Sequence, residues 1–223
     1  MAAAPALAAP VSWTAWSAIV PGTPTGGLGV GTITGFANTA NVTYLGEVLP
    51  ASYTGFGPPP PNVFPSWTPT STFSGGSVGN APTNLGSIAL SGGPTTGVNI
   101  ITFSPAVTDP VLAVWSLGSA NTNSADFVFT PSEPFTIEAG GPSTETGGSS
   151  IIIDPSNSDA VLGVEGNGVV QFHGTFSSIS WTNPAFENDY AFTVGSEGVV
   201  PEPASISLLG LVAMGMLKRR RVG

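Results

Sequence analysis

Side chains able to carry chemistry are sparse in this sequence. There is no cysteine and a single imidazole, His173, so thiolate nucleophiles, disulfides and zinc–thiolate sites are excluded together. Gly75-Gly76-Ser77-Val78-Gly79 matches the G-x-S-x-G nucleophile elbow letter for letter. That motif works only where a strand leads into the serine and a helix leaves it. Asn80-Ala81-Pro82 follows instead and argues against a helix. A Ser-His-Asp mechanism would have to use His173, whose alternation partners Gln171 and Thr175 are polar and put it on the solvent side of a strand. A glycosidase needs two carboxylates facing each other across a cleft, and spacing alone selects no pair among the acids here. No catalytic residue is assigned; the expectation is a non-enzymatic protein, with glycoside hydrolysis as a minor alternative.

Charge is distributed in one direction. The chain has 13 Asp and Glu, and its four basic side chains form one block, Lys218, Arg219, Arg220 and Arg221. A body without Lys or Arg cannot displace the counterions condensed on phosphates, so nucleic acid is excluded as a partner. An all-acidic body repels anionic polysaccharide unless divalent cations bridge the two, so neutral polysaccharide fits better. Hard cations want carboxylate and carbonyl oxygens. The densest such loop is Asp154-Pro155-Ser156-Asn157-Ser158-Asp159, which makes Asp154, Asn157 and Asp159 the candidate calcium ligands. Asp154 lacks the glycine five residues on that an EF-hand requires, and a simple Asx turn between two strands is the competing reading. Glu187-Asn188-Asp189 is a second, weaker choice. No other cofactor is indicated.

The elements that must position these groups read as strands. No stretch before residue 199 sustains a helical apolar period, whereas short Val/Ile/Phe/Thr/Trp-rich runs recur between Gly, Pro and Asn clusters. Strands are expected at 31–36, 41–48, 86–90, 98–103, 111–117, 126–130, 134–138, 151–153, 160–164, 168–181 with one break, and 190–194. That number suits a two-sheet β-sandwich. Residues 111–117 are apolar at nearly every position and belong at the centre, with both faces covered. Val170, Phe172 and Phe176 share one parity, but Ile179 and Trp181 carry the other, which predicts a bulge or tight turn at Ser177-Ser178. Residues 55–69 contain four consecutive prolines and predict an extended surface loop. Its aromatics Phe56, Phe64 and Trp67 are candidate ligand contacts, the alternative being that they fold back to cap the core. Residues 140–150 form a second, Gly/Ser/Thr-rich loop.

The two ends speak of address. Val200-Pro201-Glu202-Pro203 is followed by an apolar run over 204–217 and then by the basic block. The prolines break regular structure, the run can enter a bilayer as a single helix, and the cations resist translocation and hold that end in the cytoplasm. At 14 residues the run is shorter than the roughly 20 a bilayer core asks for. In its order of parts, with Pro201, Glu202 and Pro203 as the tripeptide, the segment resembles the PEP-CTERM sorting signal of Gram-negative bacteria. That resemblance implies recognition by an exosortase, a membrane-embedded cysteine transpeptidase-like enzyme, with processing near the tripeptide, and an association with exopolysaccharide. Val42-Thr43-Tyr44-Leu45-Gly46-Glu47, Asp109-Pro110-Val111-Leu112 and residues 174–182 are similar to segments of such proteins, which implies a jelly-roll-like sandwich and no established chemistry. At the other end, Ala6-Leu7-Ala8 has the small-x-small pattern after which signal peptidase cleaves. The basic and apolar regions of a full signal are missing, so the true start is expected upstream. The expected organisation is a signal remnant over 1–10, an all-β ectodomain over 11–198 and a sorting and anchor tail over 199–223. The expected product is exported, at the cell surface or in extracellular matrix, with a carbohydrate-binding module as the alternative.

Overall fold

The computed structural model describes residues 8–54, 65–83, 85–119, 124–130 and 133–201. The described chain is almost entirely strand. In order these are β1 (Ser12–Trp13), β2 (Ala15–Val20), β3 (Gly22–Ile33), β4 (Ala40–Val48) and β5 (Tyr53–Thr54). After one 3₁₀ turn, Thr70–Thr72, come β6 (Gly86–Leu90), β7 (Asn99–Leu117), β8 (Ala125–Phe129), β9 (Phe135–Gly140) and β10 (Ser149–Ser150). The last are β11 (Ile152–Asp154), β12 (Asn157–Gly163), β13 (Gly166–Phe172), β14 (Thr175–Thr182) and β15 (Tyr190–Val199). The expected single-helix tail lies outside the described residues.

β7 organises everything else. The sequence predicts two strands there, at 98–103 and 111–117, but the structure joins them into one strand of 19 residues. Its partners change part-way along. On one edge β4 (rungs at 100–104) gives way to β15 (rungs at 107–115); on the other, β14 (99–108) gives way to β13 (111–117). The exchange falls around Pro105 and Asp109. There β14 skips from Val107 to Thr102 opposite Phe176 and Ser178, and Asp109 takes a φ of +44°. The register breaks at Ser177, where the sequence predicts a bulge or tight turn, but the extra residues, 103–106, lie on β7. A strand that bends and switches partners is how a sheet turns a corner.

The result is one hydrogen-bonded sheet with two arms, not the two separate sheets of the expected sandwich. One arm runs β2-β3-β4-β7-β14-β8-β12-β11, the other β9-β13-β7-β15-β6-β5, with β1 added on β15 and β10 on β13. All pairings are antiparallel except β10 with β13. The arms face each other across an aromatic core. Phe192 of the second arm lies 5.2 Å from Tyr44 and 5.1 Å from Trp181 of the first, and Phe172 meets Phe129 edge-on at 5.0 Å. Such edge-to-face pairs are worth about 0.5–1.5 kcal/mol beyond the area they bury.

A second core lies on the back of the second arm. Alternation sends Leu112 and Val114 inward and Val111, Ala113 and Trp115 outward, yet all are buried. Val11, Trp13, Trp67, Phe73, Val78 and Ala81 cover the outward set. This is why 111–117 carries no polar alternation: both of its faces are dry.

Candidate functional site

The covering segment over the second arm brings together groups that stand far apart along the chain. Gly75 and Val78 exchange backbone bonds at 2.9 Å each, closing a tight turn around Gly76 and Ser77. No helix follows, so the nucleophile-elbow geometry is not built. Ser77 Oγ donates to Gln171 Oε1 at 2.5 Å, and Gln171 Nε2 donates to Glu197 Oε1 at 2.6 Å. Ser77 N–H donates to Glu138 Oε2 at 2.9 Å, and Thr136 Oγ1 donates to Glu138 Oε1. His173 Nε2 sits 2.8 Å from Thr136 Oγ1. That hydroxyl's proton is directed at Glu138, so the imidazole donates. The serine and the only histidine thus share a network but no hydrogen bond, and a base poised on a nucleophile is not what this arrangement provides.

The carboxylates in this network are pushed apart. Partial burial alone would raise Glu138, but the Thr136 and Ser77 donors and the nearby His173 outweigh it and hold its pKa below the ordinary value. Glu197 is raised, first by desolvation and then by the charges of Asp109 and Glu138, against the opposing bond from Gln171. The sequence singled out Ser77 and His173 separately but not the network, whose members come from positions 77, 136, 138, 171, 173 and 197 and meet only through strand register.

Trp67, a candidate ligand contact in the proline-rich loop, is not an exposed platform. It is 1% exposed, holds a φ of +57° and packs edge-on against Phe73 at 5.2 Å, capping the second core. Its indole is worth more buried on an apolar sheet face than stacked in water. Phe56 and Phe64 lie outside the described residues. In the calcium candidate loop, Asp154 Oδ1 accepts from the N–H and Oγ of Ser156, both at 2.8 Å, and Asn157 Oδ1 accepts from Asp159 N–H at 3.0 Å. These are two consecutive Asx turns that bend β11 back onto β12. Among the described residues no set of three or more His, Asp or Glu side chains is grouped to hold a metal ion. The second acidic choice holds structure too. Glu187 is 7% exposed; its Oε2 accepts Gly118 N–H at 2.9 Å and its Oε1 accepts Asp189 N–H at 3.3 Å. Desolvation, with Glu165 and Asp189 adding to it, pushes Glu187 up to about 7.

At the exit from β15 the geometry is simple. Val199 pairs with Val107, and Val200 N–H donates to Ala106 C=O at 2.8 Å. Pro201 comes next, exposed and without an N–H to continue the ladder. Glu202, Pro203, Lys218, Arg219, Arg220 and Arg221 lie outside the described residues. Residues 199–221 match the family model of the PEP-CTERM protein-sorting motif. The chain carries a PEP-CTERM tail. Such a tail marks an exported protein that an exosortase recognises and processes at the membrane. The PEP-CTERM match covers only this terminal segment and leaves the β body unassigned. Neither the curated proteins nor the solved structures yielded a match to the chain. Among the described residues no helix is long and apolar enough to cross a membrane.

Proposed function

We propose that this is an exported cell-surface or extracellular-matrix protein whose body is structural or adhesive and non-enzymatic, delivered through exosortase processing of its PEP-CTERM tail. One observation carries the reading: the last backbone bond among the described residues, from Val200 to Ala106, falls at the second residue of the matched motif. The described sheet pairing reaches only the first two residues of the motif, so processing at the Pro-Glu-Pro tripeptide would leave that pairing intact. The tail helix serves as a transient membrane anchor in this account, and the mature product rests at the envelope or in exopolysaccharide.

A specific surface supports adhesion to neutral polysaccharide. On the outer face of the first arm, Val20, Leu28, Leu45 and Ile100 stand opposite one another on β2, β3, β4 and β7. Val20 and Leu45 are about half exposed, at 52% and 53%. The adjacent register row holds Val30, Thr43, Thr102 and Ser178. No carboxylate stands in either row, so an uncharged glycan meets apolar stripes and hydroxyls there without repulsion.

The test is export itself. Replacing Pro201, Glu202 and Pro203 together with alanine in the producing cells is expected to retain the uncleaved chain in the membrane fraction, as read by fractionation and mass spectrometry. Unchanged delivery to the surface or medium would end the sorting reading. For adhesion, co-sedimentation with insoluble neutral polysaccharide is expected to be lost in a Leu45→Asp, Ile100→Asp variant of unchanged thermal stability; binding that survives would dismiss this face.

A further inference from the structure

A carboxamide beside the Ser77 turn is held at both ends. Gln171 is 3% exposed; its Oε1 accepts the Ser77 hydroxyl at 2.5 Å and its Nε2 donates to Glu197 Oε1 at 2.6 Å. The serine is fixed as firmly. Its N–H donates to Glu138 Oε2 at 2.9 Å, and its C=O accepts the Ala9 N–H at 2.7 Å. Its hydroxyl interacts with the same Glu138 carboxylate. A Cβ on Gly76, already at φ +56°, would run into that carboxylate, so Glu138 sits hard against the turn. With both backbone groups tied, the Ser77 side chain is directed onto Gln171.

A carbonyl bond is about 1.23 Å long, so Gln171 Cδ lies no more than about 3.7 Å from Ser77 Oγ. Atoms held about 3–3.5 Å apart in good orientation are already close to attack. We propose that Ser77 Oγ attacks Gln171 Cδ in the folded chain and closes an ester cross-link with release of ammonia, Glu138 acting as the base and Glu197 as the acid. The atoms balance with no other reactant. As the Oγ–Cδ bond forms, the Oγ–H bond breaks and its proton passes to Glu138. The carbonyl then re-forms as the Cδ–Nε2 bond breaks, and the departing nitrogen takes the proton of Glu197. Ammonia leaves, and the proton on Glu138 returns to Glu197 through solvent.

In the resting arrangement the hydroxyl proton points at the carboxamide, and it reaches Glu138 only as the oxygen turns onto carbon. The two carboxyl groups are biased toward their roles. Against its partial burial, the Thr136 and Ser77 donors and His173 hold Glu138 low, in the form that accepts a proton. Desolvation, with the charges of Asp109 and Glu138 added, raises Glu197 toward the form that gives one. The reaction runs once per chain and leaves no site for turnover.

The cross-link suits a body that has no other staple. There is no cysteine, and no Lys or Arg precedes residue 218, so neither a disulfide nor a lysine isopeptide bond is open to it. A serine and a glutamine need neither. The link would close a sequence separation of 94 residues and tie the segment covering the second core to β13. A loop of that length is where a cross-link restrains the unfolded chain strongly.

The test is the mass of the full chain, produced in cells without an exosortase and shown to be folded by far-ultraviolet dichroism. Corrected for the initiator methionine, it is expected to weigh less than its sequence by one ammonia. Digestion beside aromatic residues is expected to release one branched fragment carrying both Ser77 and Gln171. Hydroxylamine is expected to part that fragment in two and leave a hydroxamate on residue 171. A folded chain that keeps its full mass after prolonged incubation, or an ammonia loss mapped to any other site, overturns the proposal. Two variants separate chemistry from packing. Ser77→Ala keeps the backbone bonds to Glu138 and Ala9 and is expected to retain the ammonia; its loss there also overturns the proposal. Glu138→Gln is expected to fold and to close about 100-fold more slowly, and closure at the unaltered rate would strike Glu138 as the base. Export is read from the tail and stands or falls apart from this result.

Discussion

Glu47 is a carboxylate without a cation, and the backbone takes the cation's place. Its side chain is 3% exposed; Oε2 accepts Ser91 N–H at 3.0 Å and Gly92 N–H at 2.8 Å, while Oε1 accepts Ser91 Oγ at 2.6 Å. Glu47→Ala would strand those donors, and a loss of about 1.5–3 kcal/mol is expected in urea unfolding, the range for hydrogen bonds to charged groups. Glu187 behaves differently. It is pushed up to about 7 in the folded state from the 4.5 of a free side chain. The folded protein therefore binds that proton more tightly than the unfolded chain does. Its contribution to stability is complete below the unfolded value and is lost as pH rises through about 7. Glu133, raised to about 7 by desolvation, acts in the same direction. Melting temperature is thus expected to fall between pH 5 and pH 7.5, and Glu187→Gln, which keeps an oxygen for the Gly118 N–H, is expected to flatten that slope. A melting temperature that rises across the same interval would contradict this assignment.

At the level of elements, Trp67 shows how the covering segment holds. Truncation to alanine removes one of the two tryptophans over Val111, Ala113 and Trp115, and the expected loss is about 3–5 kcal/mol, measured by thermal or denaturant unfolding. Strands 41–48, 86–90 and 190–194 were legible from their β-branched and aromatic residues; 41–48 alternates between core and exterior over most of its length, whereas 86–90 and 190–194 are buried throughout. The register break beside Ser177 was legible too, from the parity change between Phe176 and Ile179, although the extra residues that make it lie on β7. What escaped had a physical reason each time. β7 reads as two strands because Pro105 and Asp109-Pro110 look like a stop, whereas they mark the corner where the strand changes partners. β2 and the first half of β3 lack the apolar alternation that announces a strand, and are held by pairing, β2 with β3 and β3 with β4. Trp67 follows a proline-rich run that suggests exposure, and only the two-faced burial of β7 reveals what the indole covers. The Ser77–Glu138–Glu197 network was out of reach because register across β9, β13 and β15 assembles it.

On the scale of the whole molecule, a single strand shared by both arms ties their fates together. Neither arm keeps its central member if the other opens. One cooperative unfolding transition is therefore expected, with fluorescence and far-ultraviolet dichroism coinciding, and slowest amide exchange along 111–117. Two separated transitions would mean that the arms are independent. The acidic body and the cationic terminus divide the chain into a portion that tolerates crossing a membrane and a portion that resists it.

The bond from Val200 to Ala106 has a further spatial consequence. Between it and the apolar stretch that starts at Ala204 stand only Pro201, Glu202 and Pro203, a tether of roughly 10–14 Å even at full extension. In the proposed precursor, with the apolar run inserted in the bilayer, a globule on so short a leash could not drift from the lipid while its tail is still attached. It would then lie nearly against the headgroups, with the Ala106 corner of the sheet turned toward the bilayer, and whichever enzyme severs the tether would have to work in the narrow gap beneath.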